Sequence, residues 1–219
     1  MVFAYGLTEP EAGSEPTALS TNYEERNSSY ILNGTKYLIS NGSVADAIIV
    51  FAYPKGKKES MSAFIVDTRT EGFSVAMRLE EKMGLFTSDT AMLELSECKV
   101  PKENLLGQPG KGLHVAYSAL LNGRIGIAAG CVGIIEDCLS AVTERAKSRV
   151  QHGKLIGKHQ LIQRHIANIA MNLEMARWPT YVAAYEKTKL DSQPTNLDLR
   201  TKVDLQSAIA KRVASRLAN

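Results

Sequence analysis

The hydrophobic period of this chain changes once, near residue 108, and the change demands two kinds of packing in one polypeptide. Before that point apolar and β-branched residues come in short runs, with turn signals roughly every 8 to 15 residues, the spacing of a β-sandwich or barrel. The strand candidates are Thr35–Ser40, Ala47–Tyr53, Met61–Asp67, Phe73–Leu79 and Thr90–Leu95. Asn33-Gly34 and Asn41-Gly42 supply residues suited to the positive φ of tight turns. After Gly107, Pro109, Gly110 and Gly112 the apolar positions fall mostly three and four apart: Ala116, Leu120, Leu121, Ile125, Ala128, Val132, Ile135, Leu139 and Val142. That is the amphipathic helical signature.

The first helical pattern runs from Leu113 to about Val150, roughly 55 Å of helix at 1.5 Å per residue. A second spans about Lys158 to Lys187, with a kink expected at Trp178-Pro179, where proline removes a donor. A third follows Gln193-Pro194-Thr195 and reaches the C-terminus without a Gly or Pro stop. Three long helices close poorly on themselves, so their apolar faces are expected to need partners that this chain lacks.

Charge and cysteine usage exclude several classes. Net charge is +3 and the pI near 8.7, too weakly basic for a nucleic-acid partner. The densest basic stretch, Lys55-Gly56-Lys57-Lys58, reads as a solvated loop. Cys98, Cys131 and Cys138 form no CxxC pair, and an odd count argues against a secreted disulfide framework. Cys131 and Cys138 are expected as small core residues. Met1-Val2-Phe3-Ala4-Tyr5 lacks the charged start and apolar run of a signal peptide. No uninterrupted apolar stretch reaches about 18 residues, so no membrane span is expected. The expected location is cytoplasmic, or the mitochondrial matrix of a eukaryotic cell. His114, His152, His159 and His165 make no HxxxH or HExxH pattern, so no metal site is expected. Gly107, Gly110 and Gly112 lack the strand–GxGxxG–helix context of a Rossmann site.

Tyr5-Gly6-Leu7-Thr8-Glu9-Pro10-Glu11-Ala12-Gly13-Ser14-Glu15 resembles the (Y/F)xLTEPxAGSD signature of the acyl-CoA dehydrogenase family. The likeness continues in order: Tyr30–Lys36 looks like YxLNGxK, Leu38–Gly42 like WITNG, Val100–Gly107 like VPxENLLG, Gly123–Ala128 like GRIGIA, and Arg149–Gly153 like RxQFG. It covers nearly the whole chain. The resemblance implies an α+β fold: an antiparallel β-sandwich or barrel domain over residues 1–108, then long antiparallel helices of an incomplete four-helix bundle over 109–219. It further implies FAD as cofactor, an acyl-CoA substrate, electron-transfer flavoprotein or another electron acceptor, and a homo-oligomer.

By the same resemblance, Tyr5, Leu7, Thr8, Leu38 and Ser40 line one side of the flavin, with Thr8 as a hydroxyl donor. Leu38 and Ser40 stand where the family has Trp and Thr, so an aromatic surface is lost and a hydroxyl kept. Arg149, Gln151, His152, Ile156 and His159 correspond to a stretch that reaches the FAD of a neighbouring subunit, with His152 in place of the usual Phe. Arginine suits a pyrophosphate because its planar donors make charge-assisted hydrogen bonds. Ser14 and Arg124 fall at substrate positions. Each has a plainer reading: Ser14 as a polar loop residue, Arg124 as a structural ion pair on a helix whose small residues admit a neighbour, Arg149–His159 as a helix connection. A carboxylate base is absent from both places the family uses: Gly123 precedes Arg124, and the later position lies outside this chain. The expected reaction is α,β-dehydrogenation of acyl-CoA. The alternatives are a catalytically silent FAD or acyl-CoA binding or assembly module, and an acyl-CoA oxidase or flavin monooxygenase on the same fold.

Overall fold

A computed structural model describes all residues from Met1 to Asn219. The chain divides into two compact units, Met1–Ser118 and Ala119–Asn219.

The first unit is a mixed eight-stranded sheet. Its strands are β1 (Phe3–Gly6), β2 (Asn22–Arg26), β3 (Ser29–Ser40), β4 (Ala47–Pro54), β5 (Ser62–Asp67), β6 (Phe73–Arg78), β7 (Thr90–Pro101) and β8 (Leu105–Leu106). Most pairs are antiparallel, as expected. β4 departs from that pattern: it pairs in parallel with β1 along Ala47–Val50 and with β2 at Tyr53 and Pro54. Period-two alternation builds the core, with Ile48, Val50 and Ala52 of β4 meeting Phe64 and Val66 of β5 and Leu93, Leu95, Cys98 and Val100 of β7. Tyr23, Tyr30 and Phe64 pack edge to face within it. Truncating fully buried Phe64 to Ala is worth about 3–5 kcal/mol.

Two bulges correct the strand boundaries. Asn33-Gly34 is not a turn; it lies inside β3, which starts at Ser29, and the chain reverses instead at Asn27-Ser28. Gly34 is needed for close approach: at φ +151° its missing Cβ leaves room for Thr21, whose Oγ1 would stand 2.4 Å from it. The register slips there because β7 carries an extra residue, with Glu97 at φ 49°. A second slip, between Lys36 and Ile39, puts Leu38 at φ 56°. Asn41-Gly42 does turn the chain, with Asn41 at φ 60°.

Helix α1 (Gly112–Ser148) begins in the first unit and continues through the second. Its start is fixed by β5. Gly112 N donates to Met61 O at 2.6 Å, and a Cβ on Gly112 would stand 2.6 Å from the Ser62 carbonyl carbon. A short hairpin, β9 (Val150–Gln151) and β10 (Lys154–Leu155), leads to α2 (Gln160–Ser192) and α3 (Leu197–Leu217). Asn196 caps α3 by accepting from Leu199 N at 3.0 Å, and Asp198 favours the positive end of the helix dipole. α2 continues through Pro179 as one helix of 33 residues.

Successive helices run antiparallel. Leu121 meets Leu190 and Val203, while Ala128, Val132 and Ile135 meet Leu173, Ala176, Ala183, Ala210 and Ala214. Two faces stay bare. Gly123, Gly126, Gly130 and Gly133 of α1 have no neighbour within 4 Å of an added Cβ, so the expected close helix contact is missing. On α2, Met171, Met175, Trp178, Val182 and Tyr185 are exposed at alternating spacings of four and three.

One expectation needs correction here. Cys98 is buried, but Cys131 is half-buried and Cys138 exposed, because their helix face is only partly covered. α1 is also long and apolar enough to cross a membrane by length and composition. Counting unbroken apolar runs missed this, since between Leu113 and Ile135 the only formal charge is Arg124, while Tyr117, Ser118 and Asn122 break the run. The same helix contributes Ala116, Leu121, Ala128, Val132 and Ile135 to buried cores, as core helices of soluble proteins also do.

Candidate functional site

The signature segment leaves the sheet where β1 ends. Gly6 is the last β1 residue paired with β4, and the chain then makes an excursion from Leu7 to Thr21 before β2 begins. One buried ion pair holds both ends of that excursion. Lys36 Nζ, on β3, donates to Glu9 Oε1 at 2.8 Å, Phe51 O at 2.7 Å and Leu7 O at 3.3 Å. Three acceptors satisfy the three donors of an ammonium. Glu9 in turn accepts from Ser20 N at 2.7 Å and Ser20 Oγ at 2.6 Å through Oε2, and from Thr21 N at 3.1 Å through Oε1. Burial alone would raise the Glu9 carboxyl, but the Lys36 charge and the hydrogen bonds from Lys36, Ser20 and Thr21 outweigh it and hold the group at about 2. Burial pushes Lys36 down to about 8, against the pull of Glu9. The pair therefore stays ionised at neutral pH.

Leu7 and Thr8 leave β1 beside this anchor, and Leu38 and Ser40 follow Lys36 along β3. Tyr37 N donates to Thr8 O at 2.9 Å, which fastens the Leu7–Thr8 turn to the strand carrying Leu38 and Ser40. Leu7 is buried, Thr8 half-buried, and Leu38 and Ser40 exposed. The hydroxyls of Thr8 and Ser40 make no hydrogen bond within the chain, so both remain available as donors to a ligand. The Tyr5 hydroxyl donates to Ala116 O at 3.1 Å, and its ring, half-buried, meets Phe51 edge to face. Burial pushes that phenol up to about 12. Ser14 lies exposed on the excursion, a few residues from these groups in sequence and without a side-chain partner.

The second unit carries the other candidates. Arg149, Gln151, His152, Ile156 and His159 belong to one compact hairpin module. His152 and Gly153 form its two-residue turn at φ 51° and 72°, the all-positive pattern of a type I′ turn. Ile156 N donates to Arg149 O at 2.8 Å, and His159 Nε2 lies 3.4 Å from Gln151 O. The His152 and His159 rings meet edge to face at 6.1 Å. The Arg149 side chain is exposed and joins no ion pair, so its guanidinium is open to an anion. Arg124 is half-buried and joins no ion pair within this chain. No cluster of His, Cys, Asp or Glu could hold a metal ion.

Sequence reasoning gave Lys36 no role. The available signal was its phase: Tyr30, Leu32, Gly34 and Lys36 alternate along one strand, which sends the lysine to the side facing inward. Glu9 was expected to be structural, and its hydrogen bonds show how.

Known proteins are similar to this chain in sequence and fold. Residues 4–98 match the family described as acyl-CoA dehydrogenase, middle domain, and residues 110–219 match its C-terminal domain. A short-chain specific acyl-CoA dehydrogenase from Megasphaera elsdenii is 41% identical over 218 residues, covering 98% of this chain and 54% of the relative. The solved butyryl-CoA dehydrogenase from the same organism superposes with a TM-score of 0.85 at 39% identity, over 98% of this chain and 54% of that one. A chain from a structure named for the electron transferring flavoprotein of Acidaminococcus fermentans gives the same values: TM-score 0.85, 39% identity, 98% and 54% coverage. The chain thus spans about half the length of the relatives it matches.

Proposed function

The chain belongs to the acyl-CoA dehydrogenase family, and on that premise we propose that it is part of a flavin-dependent oxidoreductase that dehydrogenates acyl-CoA thioesters across the α,β CH–CH bond. The observation that carries this reading is the unspent Thr8 hydroxyl, half-buried beside Leu7 and fastened through its backbone to the strand of Leu38 and Ser40. A hydroxyl bonded to nothing, on a backbone fastened at its own carbonyl, suits a ligand with an acceptor edge.

FAD supplies the hydride acceptor when bound. Leu7 and Leu38 offer apolar contact to its ring, and Thr8 and Ser40 offer hydroxyl donors. Tyr5 braces the turn through Ala116 and Phe51. Arg149, with Gln151, His152, Ile156 and His159, is assigned to the FAD pyrophosphate of a neighbouring subunit, where a guanidinium makes strong bidentate contacts. That assignment requires a homo-oligomer. Ser14 and Arg124 are assigned to the CoA thioester. Residues 1–108 form the flavin-contacting β-domain in this reading, and 109–219 part of the helical bundle. Electron transferring flavoprotein, the subject of one similar structure, is the proposed acceptor. The cytoplasm, or the mitochondrial matrix in a eukaryote, is the proposed location; a relative from Rattus norvegicus is named mitochondrial.

No base is assigned in this chain. Gly123, immediately before Arg124, has no side chain to take a proton, so the second reading is a silent FAD or acyl-CoA binding module. One titration tests the two. The chain is loaded with FAD, desalted and mixed anaerobically with a panel of acyl-CoA thioesters. Bleaching of bound flavin shows a dehydrogenase with a working base; retained flavin that never bleaches leaves the silent module or an enzyme whose base is supplied from outside these residues; loss of flavin on desalting counts against flavin binding by this chain.

A further inference from the structure

The parallel ladder between β1 and β4 stops one rung short. Gly6 is in register with Val50, so Leu7 and Phe51 come next. Their carbonyls do not join a further rung; both accept from Lys36 Nζ. Two residues later the same edge of β4 is taken up by β2, at Tyr53. The Lys36 head group fills the gap between the departing and arriving strands. Glu9 completes the splice by holding Ser20 and Thr21 just before β2. Lys36 and Glu9 have side chains 0% and 2% exposed, so water cannot substitute for either.

The splice holds the backbone from which Leu7 and Thr8 project. An apolar side chain at 36 would leave the Leu7 and Phe51 carbonyls without their donor, and two unsatisfied buried carbonyls are costly, so the backbone at Leu7 would shift to find other donors. A shift of that backbone would re-aim the Leu7 and Thr8 side chains, which project from it. With the ammonium in place the chain turns away at Leu7, and Thr8 O is met by Tyr37 N instead. We propose that Lys36 is a positioning residue for the flavin site: it ends the β1–β4 ladder at Gly6 and thereby orients Leu7 and Thr8 toward the cofactor. This rests on the flavin reading above.

The test compares the wild-type chain with Lys36→Met and with the double variant Lys36→Met/Glu9→Gln, which leaves no charge stranded in the core. Each is checked for folding by circular dichroism, then titrated with FAD. The flavin midpoint potential and visible band shape are recorded at saturation. The expected result is a folded double variant with FAD affinity reduced on the order of tenfold or more and a shifted band or potential at saturation. A purely structural role would lower the unfolding midpoint and leave the saturated spectrum and potential unchanged, and that outcome overturns the proposal. If only the double variant folds, it alone decides. If neither folds, the milder Glu9→Gln variant decides by the same readouts, since it loosens the ammonium from its counter-ion. Failure of the wild type to bind FAD sinks the flavin reading itself, and the positioning role with it; normal wild-type binding with unaltered variants sinks only the role of Lys36.

Discussion

Lys36 and Glu9 form a 2.8 Å ion pair from which solvent is almost wholly excluded, although they are 27 residues apart in the chain. Such a pair is weak evidence for net stability but strong evidence for what happens when it is broken. Removing one partner strands a buried charge at a cost of about 3–5 kcal/mol, whereas replacing both can be nearly neutral. Lys36→Met is therefore expected to be much less stable than Lys36→Met/Glu9→Gln. Urea unfolding of the two proteins checks this, and equal midpoints would contradict it.

The same carboxylate sets an acid limb. Glu9 sits at about 2 in the folded chain against an ordinary 4.5, so the unfolded chain binds the extra proton in between. Its contribution is complete above about 4.5 and is lost as pH falls toward about 2; for that interval it is on the order of 3 kcal/mol. Denaturation midpoints measured from neutral pH down to strongly acidic pH should fall more steeply for the wild type than for Glu9→Gln. Parallel curves would remove Glu9 as the cause.

The three thiols should separate by reactivity. Cys98 is fully buried and burial pushes its thiol up to about 11, while Cys138 is exposed. Thiolate is the reacting form. Brief iodoacetamide treatment at neutral pH should label Cys138 in the native chain and Cys98 only after denaturation. Peptide mass mapping reads the result, and native labelling of Cys98 would mean that the β-unit core opens.

Arg149→Ala should distinguish a ligand contact from a structural one. The side chain is exposed and unpaired, so unfolding stability should change by no more than about 0.5 kcal/mol. A charge-assisted contact to pyrophosphate is worth about 1.5–3 kcal/mol, so FAD affinity should fall roughly tenfold or more. Unchanged FAD affinity would return the hairpin to a simple connector.

The two architectures were legible because their periods differ and each persists over many residues. The helices at Gly112, Gln160 and Leu197 all begin within a few residues of where the three-and-four spacing starts. What stayed hidden was non-local. The pairing of Phe3–Gly6 with Ala47–Val50 joins segments over forty residues apart and leaves no local pattern. The bulge at Leu38 depends on a partner strand fifty residues downstream. Asn33-Gly34 misled because a glycine required for close approach looks the same in sequence as one required for a turn. Thr8 and Arg149 were identified by resemblance to a family, and local propensity would have singled out neither.

A helix ordinarily frays from its ends. α1 carries Gly123, Gly126, Gly130 and Gly133 near its middle, with nothing packed over them. Each gives the backbone about 1 kcal/mol less reason to stay helical than alanine would. The weakest stretch of this rod is therefore its waist, and amide protons there should be among the first in the helix to trade with solvent, ahead of those in the turns on either side.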